Sequence, residues 1–585
     1  MKKSITTLLI LPALLLSSCF SFTNKESEER EIKVYDLDNI ANNADIEDGY
    51  QTTITARFVK GEDYIPYLNP KDYFSLYEPH FKESIISEIE KEGSSIVWTV
   101  REGKDYLFVA EFSMSYHAVL IAGSLQPAYR DDDNQQDLEA LNYAINTEYT
   151  TEDSASSYAT YYFSSIDCFK NNGEWYVPLG LLDLIFSGDT DIYYFYNYAH
   201  IFSTKSADNF AARSFKDGDN TYTVDSQMKS MVKETTMPYY LRKYNAALFL
   251  FLMNNFYGLK EEKGISAMSK FYKTNGIYDD LKSADSATRA QAYADALDIF
   301  DDNHTALVST NDAWGEQDFN PRRLSTGIRS RSILRSTLNT TRDAYYASLY
   351  PDQEVEPGDE IVYSQDGKTA MYMFDSFIFT TGDVLNGDDL DRLYKEDSYM
   401  NLVHVFEEIK SKGTVKNIIL DISTNGGGTV GVMLKLLALL SKDNHTKITY
   451  FDSPTGQVVS MICNVDTNQD GEYDEKDVYG NDFNFYILTS DCSFSCGNAF
   501  PCVAKLEGNA KIIGQKSGGG ECAISIHYLP NSQYVYHSSN LHLGYYDADK
   551  NVFTGFEKGA TPDIEIKNTS DFYDIEKLNS LITAA

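Results

Sequence analysis

The chain has 585 residues, too many for one hydrophobic core, and about 150 residues per domain points to three or four domains. Hydrophobic residues make up 42%, which fits folded globular domains. A formal net charge of -37 argues against nucleic acid or an anionic membrane surface as a partner, because phosphates would be repelled; it suits a body facing an aqueous extracytoplasmic medium.

In chain order, Lys2 and Lys3 precede an apolar run from Leu8 to Leu16, followed by Ser17-Ser18-Cys19. A basic start, a short apolar stretch and small residues before a cysteine make a secretory signal, too short to span a membrane. The pattern resembles a bacterial lipobox. That resemblance implies a lipoprotein signal peptide over residues 1–18, acylation of Cys19, and an extracytoplasmic protein anchored to the bacterial membrane by lipid. Residues 19–49, rich in Ser, Lys and Glu over 20–31, read as the tether. Five further cysteines, Cys463, Cys492, Cys496, Cys502 and Cys522, fall in the last quarter of the chain. None forms a Cys-x-x-Cys pair, which speaks against a zinc site of paired thiolates. Disulfides and buried free thiols both remain open.

Residues 50–220 carry strand-like aromatic runs such as Ser95 to Val100 and Tyr106 to Ala110, and read as a β-rich N-terminal domain without evident chemistry. From 221 to 305 the period turns helical. Gln227 to Phe256 and Ser286 to Phe300 read as helices, the second with Asp285 as N-cap and Ala290, Tyr293, Leu297 and Phe300 on one face. This layer ends at Asp301-Asp302-Asn303-His304-Thr305. Residues 306–369 are a polar connecting segment, with no PDZ-like carboxylate-binding loop. Strand-helix repeats then fill 370–585: strands at Ala370 to Phe374, Val415 to Ile422, Phe485 to Leu488 and Lys511 to Gly514, and helices at Met400 to Lys410, Thr429 to Ser441 and Phe500 to Leu506. Such repeats imply crossovers and a largely parallel sheet.

Two loops in this region carry chemistry. Asp491-Cys492-Ser493-Phe494-Ser495-Cys496-Gly497 lies between a buried strand and a helix, where a serine can be held exposed and rigid as a nucleophile. Asp421 to Gly428 ends in three glycines before a helix, a place where backbone N–H groups and the helix dipole favour an anion. Thr429-Val430 follows instead of Lys-Ser/Thr, so a nucleotide phosphate loop is disfavoured. The anion can instead be the oxyanion of an acyl intermediate, with donors from Gly426, Gly427, Gly428 and the N–H of Cys496.

The run Asn417 to Gly428, the Ser493-Phe494-Ser495 loop and Ile512-Ile513-Gly514, in that order, resemble the tail-specific or C-terminal-processing serine peptidases and the tricorn-type core, over roughly residues 225 to 570. The resemblance implies a ClpP/crotonase-like α/β core and a nucleophile at Ser495, with Ser493 as the other register. One branch of the family uses a lysine whose position falls near Gly520; Lys516 is several residues early. The tricorn-like branch uses a histidine on an Asp-x-His-Thr motif, matched by Asp302-Asn303-His304-Thr305. His304 is then the general base, since imidazole titrates near neutrality. Asp443-Asn444-His445-Thr446 repeats the motif at the far end of the Thr429–Ser441 helix and is rejected. The closing pattern Glu557-Lys558-Gly559-Ala560-Thr561-Pro562-Asp563 implies Glu557 as the acid orienting His304.

Asp466 to Asp477 has the spacing of an EF-hand-like calcium loop, with Asp466, Asn468, Asp470, the Glu472 carbonyl, Asp474 and Asp477 as ligands and Gly471 at the sixth position. A calcium ion there would brace the strand leading to Ser495. The whole reads as a multidomain α+β protein: a β-rich N-terminal domain, a helical layer and a C-terminal α/β catalytic domain. The expected function is a lipid-anchored serine peptidase acting on protein or peptide substrates through a Ser495 acyl-enzyme. The alternative is a catalytically inactive peptide-binding lipoprotein of the same fold.

Overall fold

The computed structural model describes residues 25–584 apart from 37–49, 130–144, 155–157, 191–192, 197–199, 205–212, 218–219, 225, 227–231, 233–234, 310–312, 315–325, 352–357, 359, 380–389 and 532. The signal segment and Cys19 lie outside the described residues. Among the described residues no helix is long and apolar enough to cross a membrane.

The N-terminal region is β-rich, as its aromatic runs predict. The strand Ser27–Asp36 sits within a seven-stranded sheet, antiparallel to Tyr50–Val59 and parallel to His200–Thr204. This differs from the expected tether over 19–49. Ile32 and Val34 point inward and are buried, while Glu29, Glu31 and Lys33 alternate with them on the exposed face, where Glu29 pairs with Arg57. The charged outward residues masked a period-2 strand. Four of the five strands of a second sheet form an antiparallel meander over Ile85–Glu92, Ser95–Glu102, Asp105–Ser113 and Ala118–Gly123. Its Trp98 stacks on Phe74 at 4.0 Å between ring centroids.

Of the helix expected over Gln227 to Phe256, residues 227–231 and 233–234 lie outside the described residues; a helix spans Tyr239–Asn255, directly after Pro238, whose ring disfavours helix in the residue before it. The segment 306–369 is more than a connection. It contains the strand Ala306–Ser309 and a 24-residue helix, Thr326–Leu349. A further sheet crosses the expected domain boundaries: Ile145–Ser154 pairs with Gln457–Val465, and Ala306–Ser309 with Tyr534–Asp547.

The C-terminal α/β region is built on a six-stranded sheet in the order Val362–Tyr363, Thr369–Met373, Asn417–Asp421, Asn484–Thr489, Ala510–Gly514, Ile564–Glu565. All neighbours are parallel except the first pair. Both faces are covered, so its strands read as continuous apolar runs. Ile418, Leu420, Ile487 and Ile512 face one core, with the helices Ser398–Ser411, Val430–Leu440 and Cys496–Leu506. Ile419, Tyr486, Leu488 and Ile513 face the other, under Leu338 and Tyr346 of the long helix.

The Ser398–Ser411 helix is held at its start by Asp397, a buried N-cap whose Oδ1 accepts from Tyr399 N and Met400 N at 3.0 Å each. Asp397→Ala is expected to lower stability by about 1–2 kcal/mol, read as a lower urea midpoint at unchanged slope, with Asp397→Asn retaining most of it.

Candidate active site

The glycine loop follows Asn417–Asp421 and the serine loop follows Asn484–Thr489, so both stand at the carboxyl ends of adjacent parallel strands, where Asp421 pairs with Leu488. Their main chains are locked together. Phe494 N donates to Asn425 O at 3.0 Å, and Gly497 approaches so closely that an added Cβ would lie 2.5 Å from that same oxygen. Asn425, fully buried, donates from Nδ2 to Phe374 O at 3.1 Å and accepts the Gly427 N–H at 2.9 Å. The Gly427 amide is therefore engaged within the loop, so a loop donor to an oxyanion would have to come from Gly426 or Gly428.

The two candidate serines differ in role. Ser493 is buried; its Oγ donates to Ile422 O at 2.7 Å and accepts from Ser490 N at 3.0 Å, so it ties the loops together. Ser495 is only partly buried and sits at φ 57, ψ -125, a sparsely populated conformation for a non-glycine residue. Its carbonyl accepts Asn498 N and Ala499 N at 2.8 Å each, so the helix starts at Cys496 rather than at the expected Phe500. Gly497, a poor helix former, hid that first turn. Gly427 (φ +112) packs against this elbow: a Cβ there would lie 2.7 Å from Ser495 Cβ and 3.1 Å from Cys496 N.

His304 follows the helix Ser286–Asp298, which Asp285 caps as expected by accepting Thr288 N at 2.8 Å. Asp301 turns the chain at φ 51 and accepts Ile328 N at 3.1 Å, tying the start of the long helix to the histidine segment. Asp302, not assigned a role by the sequence, holds His304 in place. Its Oδ1 accepts His304 N at 2.9 Å, and its Oδ2 accepts Thr305 Oγ1 at 2.6 Å and Ser538 Oγ at 2.8 Å. The imidazole is buried, edge-on to the Phe494 ring at 4.7 Å, and its Nδ1 has no hydrogen-bond partner. Burial lowers its pKa, opposed by the Asp302 charge and a backbone hydrogen bond at Cys522.

Glu557 Oε2 accepts Gly520 N and Glu521 N at 3.0 Å each. Burial, with the charges of Asp302 and Glu521, pushes its carboxyl up to about 7. One short segment thus touches all three candidates: Gly519 O accepts Ser495 N at 3.0 Å, Gly520 and Glu521 hold Glu557, and Cys522 meets His304. No hydrogen bond joins Ser495 Oγ to His304, or His304 to Glu557, among the described residues.

The lysine alternative meets a steric obstacle. Lys516 is exposed, and a Cβ at Gly520 would lie 2.5–2.9 Å from atoms of the Phe494 ring, so that ring fills the space where a side chain would start. His445 is exposed beyond the C-terminus of Val430–Leu440, the end remote from the glycine loop. The long helix supplies residues the sequence reading missed. Arg331 Nε donates to Asp491 Oδ2 at 3.1 Å, and its guanidinium lies 5.8 Å from the Phe494 centroid. Arg335 lies beside Gly426 in a cavity of about 500 Å³ that Asn339, Thr424 and Gly428 also line.

The Asp466–Asp477 loop fits calcium poorly at two positions. Both Asp477 oxygens accept backbone amides, from Thr467 (2.9 Å), Asn468 (3.1 Å) and Asp474 (3.0 Å). Asp474 pairs with Lys476 at 2.6 Å. Asp466, Asn468 and Asp470 also accept backbone amides within the same turn. The six described cysteines are buried thiols; none is disulfide-bonded.

Residues 390–566 match the family described as Peptidase family S41, a span that contains the glycine loop, Ser495 and Glu557 but not His304. That segment is homologous to this family, and the match supports serine-type peptidase activity. No curated protein matches the chain. Among solved structures, it is similar to a putative peptidase from Parabacteroides merdae (19% identity, 54% of this chain and 86% of that one, TM-score 0.36). A lipoprotein from Streptococcus agalactiae matches at 13% identity over 60% of this chain and 100% of that one, TM-score 0.34. The tricorn protease matches at 10% identity over 96% of this chain and 59% of that one, TM-score 0.31.

Gly427→Ala is expected to push the Ser495 side chain or the Cys496 amide out of place. Labelling by a serine-directed fluorophosphonate should slow on the order of 100-fold, with the far-ultraviolet circular dichroism unchanged.

Proposed function

We propose that the chain is an extracytoplasmic serine peptidase of the Ser-His-Glu type, working through an acyl-enzyme on Ser495. The observation that carries this reading is the elbow at Ser495: a serine at positive φ, with Gly427 against its side chain and the His304 ring packed on the preceding Phe494. In the reaction, Ser495 Oγ bonds to the substrate carbonyl carbon as its proton passes to His304. The carbonyl oxygen becomes an oxyanion, taken up by the Cys496 N–H and an amide of Gly426 or Gly428. His304 returns the proton to the leaving amine as the C–N bond breaks, and water then releases the acyl group by the same route. Asp302 holds the histidine backbone, and Glu557, once ionised, orients and stabilises the imidazolium. For this step Ser495 and His304 must come within hydrogen-bond reach, as catalytic hydrogen bonds are often long before substrate binds.

The core is read as ClpP/crotonase-like, and substrates as proteins or peptides entering along the cavity beneath the long helix. Acylation of Cys19 would tether the enzyme to a bacterial membrane. No step passes through calcium. The second reading, a peptide-binding protein without catalysis, draws on the missing Ser495–His304 hydrogen bond.

Fluorophosphonate labelling separates the readings. Wild type is expected to be labelled, and Ser495→Ala and His304→Ala to lose labelling. An unlabelled wild type would establish the binding reading, and labelling that survives His304→Ala would move the base to another residue such as Lys516.

His304 also has a titration signature. Its burial places the imidazole pKa below the ordinary 6.5, so the base is neutral at pH 7. Asp302→Asn removes the charge that raises this value and should shift it lower still, read from the imidazole resonances by NMR. A value above 6.5, or an upward shift in the variant, would contradict the assigned environment.

A further inference from the structure

Next to Gly519 and Gly520, which meet the serine loop, three side chains that the peptidase chemistry does not use turn toward one point. Cys522 opens the strand Cys522–Tyr528 and stands directly across from His542 in the register with Tyr534–Asp547. Glu521 immediately precedes it, and the pairing slips between Cys522 and Ile524. That irregular backbone lets two consecutive residues face the same way, which a regular strand forbids. All three are buried: 5%, 2% and 7% exposed for Glu521, Cys522 and His542. Their nitrogen, sulfur and oxygen atoms lie within 4.8 Å of one another.

The arrangement is not that of a second relay. In a Cys-His-Glu triad the thiol and the carboxylate would address opposite ring nitrogens. Here both address Nδ1: Glu521 Oε1 at 2.7 Å and Cys522 Sγ at 3.5 Å. Groups converging on one point are what a metal ion gathers. We propose that Glu521, Cys522 and His542 form a zinc-type metal site.

Metal–nitrogen and metal–sulfur bonds of about 2.05 and 2.3 Å at tetrahedral angles separate nitrogen and sulfur by about 3.5 Å, the spacing found. The carboxylate, hydrogen-bonded to Nδ1, needs to withdraw by roughly 0.6 Å to complete three corners. Thiolate and imidazole select a borderline ion such as zinc over calcium or magnesium. Binding displaces the thiol proton, so a sulfur–metal bond replaces an S–H bond without redox change.

A second observation points to a ligand at the same place. The Tyr257 hydroxyl is buried and has no hydrogen-bond partner, although Tyr257 lines the same cavity of about 600 Å³ as Glu521 and His542. Three protein ligands leave a fourth position for water, and the cavity gives ion and water a path in. Gly258 lets the main chain pass close to this strand: an added Cβ would lie 1.9 Å from Ser539 O and 3.2 Å from Cys522 Sγ. Glu521 Oε2 accepts Glu557 N at 2.7 Å, so the site adjoins the peptidase centre.

The test adds cobalt(II) chloride to the full chain. One equivalent is expected to produce a thiolate-to-cobalt charge-transfer band in the near ultraviolet, which zinc chloride bleaches. Cys522→Ser should abolish the band, and His542→Gln should weaken cobalt binding by at least about tenfold. Zinc competition against a chromophoric chelator on wild type alone should give one tight site, which keeps the test valid if a variant fails to fold. No band and no tight zinc site, or a band that survives in folded Cys522→Ser, would overturn the proposal. Cobalt at the carboxylate loop around Asp470 gives no thiolate band and cannot mimic the result.

Discussion

Everything at the candidate centre depends on two main chains meeting at the ends of two parallel strands. The glycine loop and the serine loop touch backbone to backbone, through Phe494 N to Asn425 O and through the close approach of Gly497 to the same carbonyl. Such contact is open only to residues without a Cβ, which is why Gly427 and Gly497 stand where they do. Around it, Asn425, Ser490 and Ser493 satisfy the polar groups this buried meeting would otherwise strand. Ser495 is left as the partly exposed hydroxyl on the strained turn.

The electrostatics of the site follow from burial. Asp302, Glu557 and Glu521 lie close together with few cations near them, so Glu557 holds its proton up to about pH 7 and the imidazole of His304 favours the neutral form. A neutral base beside a carboxyl that ionises near neutrality suits proton transfer at physiological pH. The same crowding of acids surrounds Cys522, where burial and the charges of Glu521 and Glu557 keep the thiol protonated in the absence of a cation.

Phe494 is the residue through which these parts are coupled. Its ring lies against His304, fills the space above Gly520 and stands within reach of the Arg331 guanidinium on the long helix. That helix is tied at its start to Asp301, three residues before His304, and borders the glycine loop through Arg335. A bound peptide in the cavity beneath it would meet arginine and glycine-loop groups together.

The amino-acid sequence by itself determined the strand-helix rhythm of the C-terminal half, because a sheet covered on both faces writes its strands as unbroken apolar runs such as Asn417–Asp421 and Asn484–Thr489. It also determined the two loops, since glycines and small hydroxyls before a helix have few other uses. It could not separate Ser493 from Ser495 by composition; their different burial and partners did. The strand at Ser27–Asp36 was hidden by charges on its outer face, and the helix Thr326–Leu349 by a polar surface with few inward residues. Only the tertiary structure brought Gly519–Cys522 against Ser495, His304 and Glu557, and Cys522 opposite His542. Those meetings join residues far apart in the chain, and strand register and close backbone approach, which leave no local pattern, decide them.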